Sequence, residues 1–211
     1  METAPWRSPR PRVLLVLRGV FGLLTLGICI VGLVAIPAIY FAYLTHWGVC
    51  SVLLFYSLSL ATLRWKALVK AVKPLFTIAW CLEWVIVPIY WTWVYTQESS
   101  VPWAYTIVVH ALLLVFLLCD YSLNRLYFEW KQLAYPLVVL GAYTAVNVPV
   151  TVEEGELYPR VNYENGWSYL VIVYTLVMCL LGFLLAKGLD RVKRNRERKT
   201  SGGTELLGNQ P

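Results

Sequence analysis

The chain has 211 residues, of which 59% are hydrophobic and only 14% are charged, and its net charge is +6. A soluble domain of this length is typically about 45–50% apolar and about 25% charged. These proportions exclude a disordered chain, a secreted disulfide scaffold and an ordinary nucleic-acid-binding domain. They indicate a polytopic membrane protein.

Six apolar segments are candidates to cross the membrane, for which a helix needs roughly 20 apolar residues. Charges, prolines and polar clusters delimit these segments at residues 15–37, 47–63, 75–95, 103–119, 134–152 and 167–187. Unpaired backbone groups are not tolerated in lipid, so each segment is predicted to be a helix. The apolar runs are continuous rather than alternating, which disfavours a β-barrel. We therefore expect an all-α, six-transmembrane-helix bundle.

The distribution of basic residues predicts the orientation of this bundle. All but one of the 18 Lys and Arg residues fall on one side of the predicted membrane, and only Arg160 falls on the other. Lys and Arg accumulate in cytosolic loops, so both termini are predicted to be cytosolic. The chain then divides into a basic N-terminus (1–14), the membrane domain (15–187) and a basic tail (188–211). The tail is expected to be disordered, above all after Thr200, and to attract anionic lipid rather than nucleic acid.

Several kinds of chemistry have no motif in this sequence. The five Cys residues show no zinc or redox spacing, and His46 and His110 are the two histidines. A Gly-rich phosphate loop, a nucleophile-elbow serine and a zinc-binding helix motif are absent. We therefore predict neither a metal nor a cofactor.

Few polar residues lie within the predicted spans, and such residues are candidates for function because a polar group in hydrocarbon is costly unless it is paired. Thr45 opens the second span on its outer side. His110 lies seven residues into the fourth span, about 10 Å below its outer end, and Asn147 lies at a similar depth in the fifth. Glu83 lies near the middle of the third span, and Asp120 lies at the cytosolic end of the fourth.

The three residues in the outer half, Thr45, His110 and Asn147, have the chemistry of nucleophilic acyl transfer. A histidine can take the proton of a hydroxyl and return it to the leaving group, and an amide can orient the histidine or stabilise an oxyanion. The alternatives are that Thr45 caps its helix and that His110 bonds a neighbouring helix. His46 adjoins Thr45 but points about 100° away, so both cannot line one pocket.

The two acids have less reactive interpretations. Glu83 is expected to be a paired structural residue or a pocket residue. Asp120 is expected either to support the site or to bind only Arg125 or Asn124 at the cytosolic face.

Several motifs resemble those of known membrane families. The segment 42–48 (Ala-Tyr-Leu-Thr-His-Trp-Gly) resembles the start of the second span in rolling stone-like proteins and the aromatic–Leu–Thr motif of the androgen-induced membrane hydrolases. The ten-residue spacing of His110 and Asp120 resembles that of both groups. The segment 128–136 and the pair 158–159 (Tyr-Pro) resemble the rolling stone-like branch most closely. The order of these motifs covers nearly the whole chain.

This resemblance implies a specific activity. The androgen-induced hydrolases are six-span proteins that cleave fatty acid esters of hydroxy fatty acids with an intramembrane threonine and histidine, and Thr45 and His110 occupy these positions. The rolling stone-like branch is associated with myoblast fusion. The chain departs from the hydrolase pattern at Ile107, where a second histidine is expected, and at His46, where asparagine or an aromatic residue is expected.

We therefore expect an integral membrane lipid hydrolase that acts on membrane lipid or fatty acid esters in the endoplasmic reticulum or the plasma membrane. The alternative is a non-catalytic rolling stone-like protein that acts in fusion, adhesion or scaffolding through its acidic outer loop, Glu153–Glu164. A small carrier has little support, because no internal repeat or broken-helix pattern is evident.

Overall fold

The structure, a computed structural model, describes residues 11–94, 106–158 and 161–207. The described chain is almost entirely helical, and its extended residues pair in one isolated bridge, Tyr158–Val161. The principal helices are α1 (Pro11–Ala35), α2 (Leu44–Ala61), α3 (Val69–Ile89), α4 (Val108–Leu123), α5 (Ala134–Glu154) and α6 (Gly166–Leu207). A π-helical turn, Tyr90–Val94, continues α3, and the first turn of α4, Val108–Leu112, is also π-helical.

Five of these helices, α1, α2, α3, α5 and α6, are long and apolar enough to cross a bilayer. The shorter apolar helix α4 begins close to residues outside the described ranges. Large apolar side chains cover the outside of the bundle, and Leu23, Val34 and Val138 are 72%, 77% and 71% exposed. Apolar surface of this extent is unfavourable in water. The protein is therefore a multi-pass integral membrane protein.

Each predicted span coincides with a helix over the residues described, although the boundaries differ. Helix α3 begins at Val69, six residues before the predicted start, and includes Lys70, Lys73 and Pro74. Long basic side chains can extend from an apolar helix to the interface, so a charge does not end the helix. The start of the predicted span 103–119 lies outside the described residues.

The basic segment that follows the last predicted span is helical, whereas the sequence predicts disorder after Thr200. Helix α6 has 42 residues and continues to Leu207. At 1.5 Å per residue it is about 63 Å long, which exceeds the thickness of a bilayer. Lys, Arg and Glu are good helix formers, so a helix already formed within the membrane can propagate through them.

The two ends of the bundle carry opposite charge. The basic end comprises the start of α1, the connections 62–68 and 124–133 and the C-terminal part of α6. The acidic end comprises the connection 36–43, the end of α5 and the described part of the segment 155–165, where Glu153, Glu154, Glu156 and Glu164 lie.

Helix α3 is the centre of the bundle, because it packs against α2, α4, α5 and α6. Toward the basic end it carries Phe76 and Trp80, whose rings lie with those of Tyr121 and Phe128 at centroid distances of 5.2–6.0 Å. The Trp80 indole donates a hydrogen bond of 2.9 Å to the Gly182 carbonyl of α6. This aromatic cluster fixes the helices around α3.

A buried ion pair joins α1 to α4. Arg18 donates to the two Asp120 oxygens at 2.6 and 2.9 Å, and both side chains are 0% exposed. Asn124 donates a further hydrogen bond of 2.7 Å to Asp120. From the sequence, Asn124 or Arg125 is the expected partner of Asp120. The structure confirms Asn124 and adds Arg18, which is 102 residues away along the chain.

We expect Arg18→Met to destabilise the protein by about 3–5 kcal/mol, because it leaves the Asp120 carboxylate buried without its countercharge. The double variant Arg18→Met/Asp120→Leu removes both charges and should recover most of this loss. Unfolding of the purified protein in detergent micelles measures both effects, with the exposed Arg64→Met as the control. A loss below about 1 kcal/mol for Arg18→Met would contradict this assignment.

Candidate functional site

A cavity of about 240 Å³ lies toward the acidic end of the bundle. The last turns of α3 form its back, α5 and α6 form its sides, and the start of α2 closes its top together with Tyr158 and Tyr163. Leu137 of α5 and Leu176 of α6 line the cavity and are 41% and 45% exposed. The cavity is therefore open between α5 and α6 to the surface that faces lipid.

The polarity of the cavity wall changes along its length. Hydroxyl and amide groups are concentrated toward the acidic end, and the remainder is mostly aliphatic and aromatic, with Thr144 and Thr175 as further hydroxyl groups. The polar group includes Thr45, Tyr143, Asn147, Tyr158 and Tyr163, and the aliphatic group includes Ile86, Leu137, Leu140 and Leu176. Ten residues of α5 separate Asn147 from Leu137, which corresponds to about 15 Å. This shape and polarity suit an amphiphile with one apolar chain.

Thr45 lies in the cavity wall with a hydroxyl group that no other part of the described chain binds. It is the second residue of α2, whose N-cap is Tyr43, so Thr45 is not the helix cap. His46 points elsewhere, because its Nδ1 lies 2.7 Å from the Tyr40 carbonyl and its ring stacks on Tyr40 at 3.9 Å. As the helical geometry predicts, Thr45 rather than His46 lines the cavity.

Asn147 ties three segments together at the polar end of the cavity. Its amide nitrogen donates a hydrogen bond of 2.8 Å to the Ala42 carbonyl, and the Tyr163 hydroxyl donates to its amide oxygen. The side chain is 1% exposed. Both ends of the amide are thus used to hold α5 against the chain before α2 and against the acidic loop. Its expected role toward His110 or an oxyanion stays a prediction.

The Tyr158 hydroxyl lies beside the backbone that carries Thr45. The Leu44 amide donates a hydrogen bond of 2.8 Å to it. Burial raises the pKa of Tyr158 to about 12, so the hydroxyl stays protonated at neutral pH. Tyr158 is among the residues that line the cavity, so its hydroxyl group is available there as a protonated polar group.

His110 lies behind the cavity wall. Its Nδ1 is 3.1 Å from the Thr106 carbonyl, and its ring is stacked on Tyr90 with a centroid distance of 3.4 Å and an interplanar angle of 7°. Tyr90 lines the cavity, whereas His110 is not among the described residues that do. The structure therefore brings Thr45 and Asn147 to one cavity but does not bring His110 to it.

The two predicted acids also lie outside the cavity. Asp120 is in the ion pair near the basic end. Glu83 is 0% exposed, and both its carboxyl oxygens lack a hydrogen-bond partner in the described chain. The structure therefore shows neither environment that the sequence predicts for Glu83, a paired group or a pocket wall. Asp120 lies near the basic end of the bundle, whereas the cavity lies toward the acidic end. Any support that Asp120 gives to the cavity is therefore indirect, through α4.

Nothing in the described residues suggests a metal centre, because no group of three or more His, Cys, Asp or Glu side chains could hold an ion there. The groups at the polar end of the cavity are hydroxyls and an amide. These groups suit hydrogen bonding to the head of a lipid.

The tyrosines at the polar end of the cavity are the site residues that the sequence analysis missed. Tyrosine is frequent at membrane interfaces, so Tyr143 and Tyr163 carry no sequence signal that separates them from an aromatic belt. Tyr158 is the exception, because the Tyr-Pro pair at 158–159 is one of the motifs that resemble the rolling stone-like branch.

We expect Thr45→Val to leave the free energy of unfolding within about 0.5 kcal/mol of the original, because the hydroxyl has no partner to lose. Asn147→Ala should cost about 1–3 kcal/mol, because it leaves buried polar groups unpaired. Thermal unfolding in detergent compares the two variants. A large loss for Thr45→Val would show that the hydroxyl has a structural role.

Comparison with known proteins finds no family model, no curated protein and no solved structure that matches this chain.

Proposed function

We propose that this protein is a membrane lipid hydrolase that binds an acyl ester in the cavity between α5 and α6 and uses Thr45 as the nucleophile. One observation carries the proposal: the Thr45 hydroxyl, which the described chain leaves unbonded, lies at the polar end of an apolar cavity that is open to lipid. A lipid ester fits this site with its chain along the aliphatic wall and its carbonyl beside Thr45.

The proposed topology has six spans, with both termini in the cytosol. The basic end of the bundle then faces the cytosol, as the distribution of Lys and Arg favours. Thr45 consequently lies in the luminal leaflet of the endoplasmic reticulum or the outer leaflet of the plasma membrane, close to the interface because it is the second residue of α2. This depth gives water from the interface access to an acyl group on Thr45.

The substrate class follows from the dimensions of the cavity. About 15 Å of α5 separates the polar end from Leu137, and the opening between α5 and α6 admits a chain sideways from the bilayer. Fatty acid esters of hydroxy fatty acids, which the family resemblance implies, have an ester between apolar segments. The second segment can then remain in the lipid while the first occupies the cavity.

The reaction proceeds by acyl transfer. The Thr45 oxygen forms a bond to the ester carbonyl carbon, the bond to the alcohol oxygen breaks, and the hydroxyl proton passes through a base to the leaving alcohol. Water then releases the fatty acid from Thr45. The Tyr158 hydroxyl is positioned to donate to the developing oxyanion. Two groups behind the cavity wall are candidates for the base. They are His110, which lies behind Tyr90, and Glu83, which lies behind Ile86.

The second candidate is a non-catalytic lipid-binding protein that acts in fusion, adhesion or scaffolding. One observation favours it: no imidazole or carboxyl group of the described residues lines the cavity. The acidic loop would then carry the function, and changes at Thr45 would be silent.

Gly141 offers a test of lipid binding. It lines the cavity, and nothing lies within 4 Å of the position that a Cβ would take, so Gly141→Leu should fold and fill the cavity. We expect photocrosslinking to a diazirine-labelled fatty acid ester in nanodiscs to fall by at least tenfold, equivalent to about 1.4 kcal/mol. Gly27→Leu, at an equally open position on α1, is the control. Equal crosslinking of both variants would exclude this cavity as the binding site.

Thr45→Val tests catalysis separately from binding. We expect it to abolish both cleavage of the ester and labelling by a fluorophosphonate probe, while crosslinking to the lipid is retained. Mass spectrometry of the labelled wild-type protein should locate the adduct at Thr45. Lipid binding without labelling of the wild-type protein would support the non-catalytic candidate and contradict hydrolysis.

A further inference from the structure

Glu83 is the least explained polar group in the structure. It lies in the central helix α3 and is completely buried, and neither carboxyl oxygen has a hydrogen-bond partner in the described chain. A carboxyl group in this situation is costly, and a hydrophobic residue of similar size would fill the position. Such unpaired acids within a membrane segment indicate function.

Glu83 and Thr45 are connected through one turn of α2. A Cβ placed at Gly48 would lie 2.7 Å from Glu83 Oε1 and 2.4 Å from Ile86 Cδ1, so the absence of a side chain at Gly48 makes room for both groups. Side chains three residues apart on a helix are about 5–6 Å apart at Cβ. The Glu83 oxygen therefore lies within about 9 Å of the Thr45 Cβ.

Ile86 separates this carboxyl from the cavity. It contributes to the cavity wall, and its terminal methyl lies beside the Glu83 oxygen over Gly48. A rotation of the Ile86 side chain is a small motion on the scale of a cavity that binds a lipid, and it would open a path from Glu83 toward Thr45. A base in an unliganded site commonly reaches its proton through one water or only after the substrate binds.

We infer that Glu83 is the general base that takes the proton from Thr45. This inference rests on the proposed function, and it assigns to Glu83 the task that the family resemblance gives to His110. Among the described residues no donor binds the Glu83 oxygens, whereas His110 has one ring nitrogen on a carbonyl and its ring face on Tyr90.

The proton balance of the reaction is complete with Glu83. In the first step its carboxylate accepts the Thr45 hydroxyl proton, directly or through one water, as the Thr45 oxygen bonds the ester carbon. The proton then passes to the alcohol oxygen as the ester bond breaks. In the second step Glu83 takes a proton from the attacking water and returns it to the Thr45 oxygen as the acyl bond breaks.

Three variants of the full-length protein in nanodiscs test this role. Glu83→Gln keeps the size of the side chain but cannot accept the proton, so we expect kcat for a fluorogenic acyl ester to fall about 10²–10⁴-fold with KM and lipid crosslinking unchanged. Glu83→Asp should retain part of this activity. His110→Gln tests the other candidate base in the same assay.

Gly48→Ala provides a second test that leaves Glu83 intact. The added methyl displaces the carboxyl and Ile86, and we expect it to lower kcat at least tenfold. Gly22→Ala is the control, because its Cβ would lie 3.3 Å from Tyr56 where α1 contacts α2, away from Glu83. If Glu83→Gln does not fold, Gly48→Ala and Glu83→Asp decide the matter.

The outcomes separate the two proposals. Loss of kcat in Glu83→Gln with His110→Gln active supports Glu83 as the base. Activity of Glu83→Gln within threefold of the wild-type protein, or an inactive His110→Gln beside an active Glu83→Gln, overturns this inference and leaves the hydrolase proposal standing. A wild-type protein that binds lipid but neither cleaves esters nor reacts with the fluorophosphonate overturns both.

Discussion

The structure depends on one constraint, which is that a polar group in hydrocarbon needs a partner. Most buried polar side chains satisfy it within the protein. Arg18 and Asp120 bind each other, Thr25 and Thr77 donate to carbonyls of their own helices, and Asn147 is bonded at both ends of its amide. The Thr45 hydroxyl and the Glu83 carboxyl lie on neighbouring helices, and the described chain gives neither a partner. The hydroxyls of Tyr56, Ser59 and Thr151 and the indole of Trp84 also lack a partner there, but Glu83 is the one carboxyl group in this set.

The acidic end of the bundle is organised by hydrogen bonds rather than by apolar packing alone. Asn147 holds α5 to Ala42, and the Leu44 amide donates to Tyr158. These bonds join the acidic loop to the first turn of α2. The position of Thr45 is therefore set by the segments that close the polar end of the cavity, so the loop and the first turn of α2 form one unit. This coupling relates the two candidate functions, since a change in the loop also changes the environment of Thr45.

The helices could be predicted from the sequence because hydrophobicity along a span is a local property. The same holds for the direction of Thr45 relative to His46, which follows from helical geometry. The pairing of Asp120 with Arg18 could not be predicted, because it depends on which helices are neighbours. The cavity could not be predicted either. It forms where α5 and α6 separate, and this depends on how the helices pack and not on the sequence of one span. The sequence predicts Glu83 to be a paired structural residue or a pocket residue, and its lack of a partner among the described residues becomes visible only once the neighbouring helices are in place.

The opening between α5 and α6 determines how the protein encounters its ligand. An amphiphile that enters between two helices arrives by diffusion within one leaflet and never crosses bulk water. Occupancy of the cavity is then governed by the mole fraction of the amphiphile in the membrane, and dilution of the aqueous phase leaves it unchanged. Any product with a long chain returns to the same leaflet. The composition of that leaflet would consequently set the rate, and neighbouring lipids would compete for the cavity in proportion to their abundance.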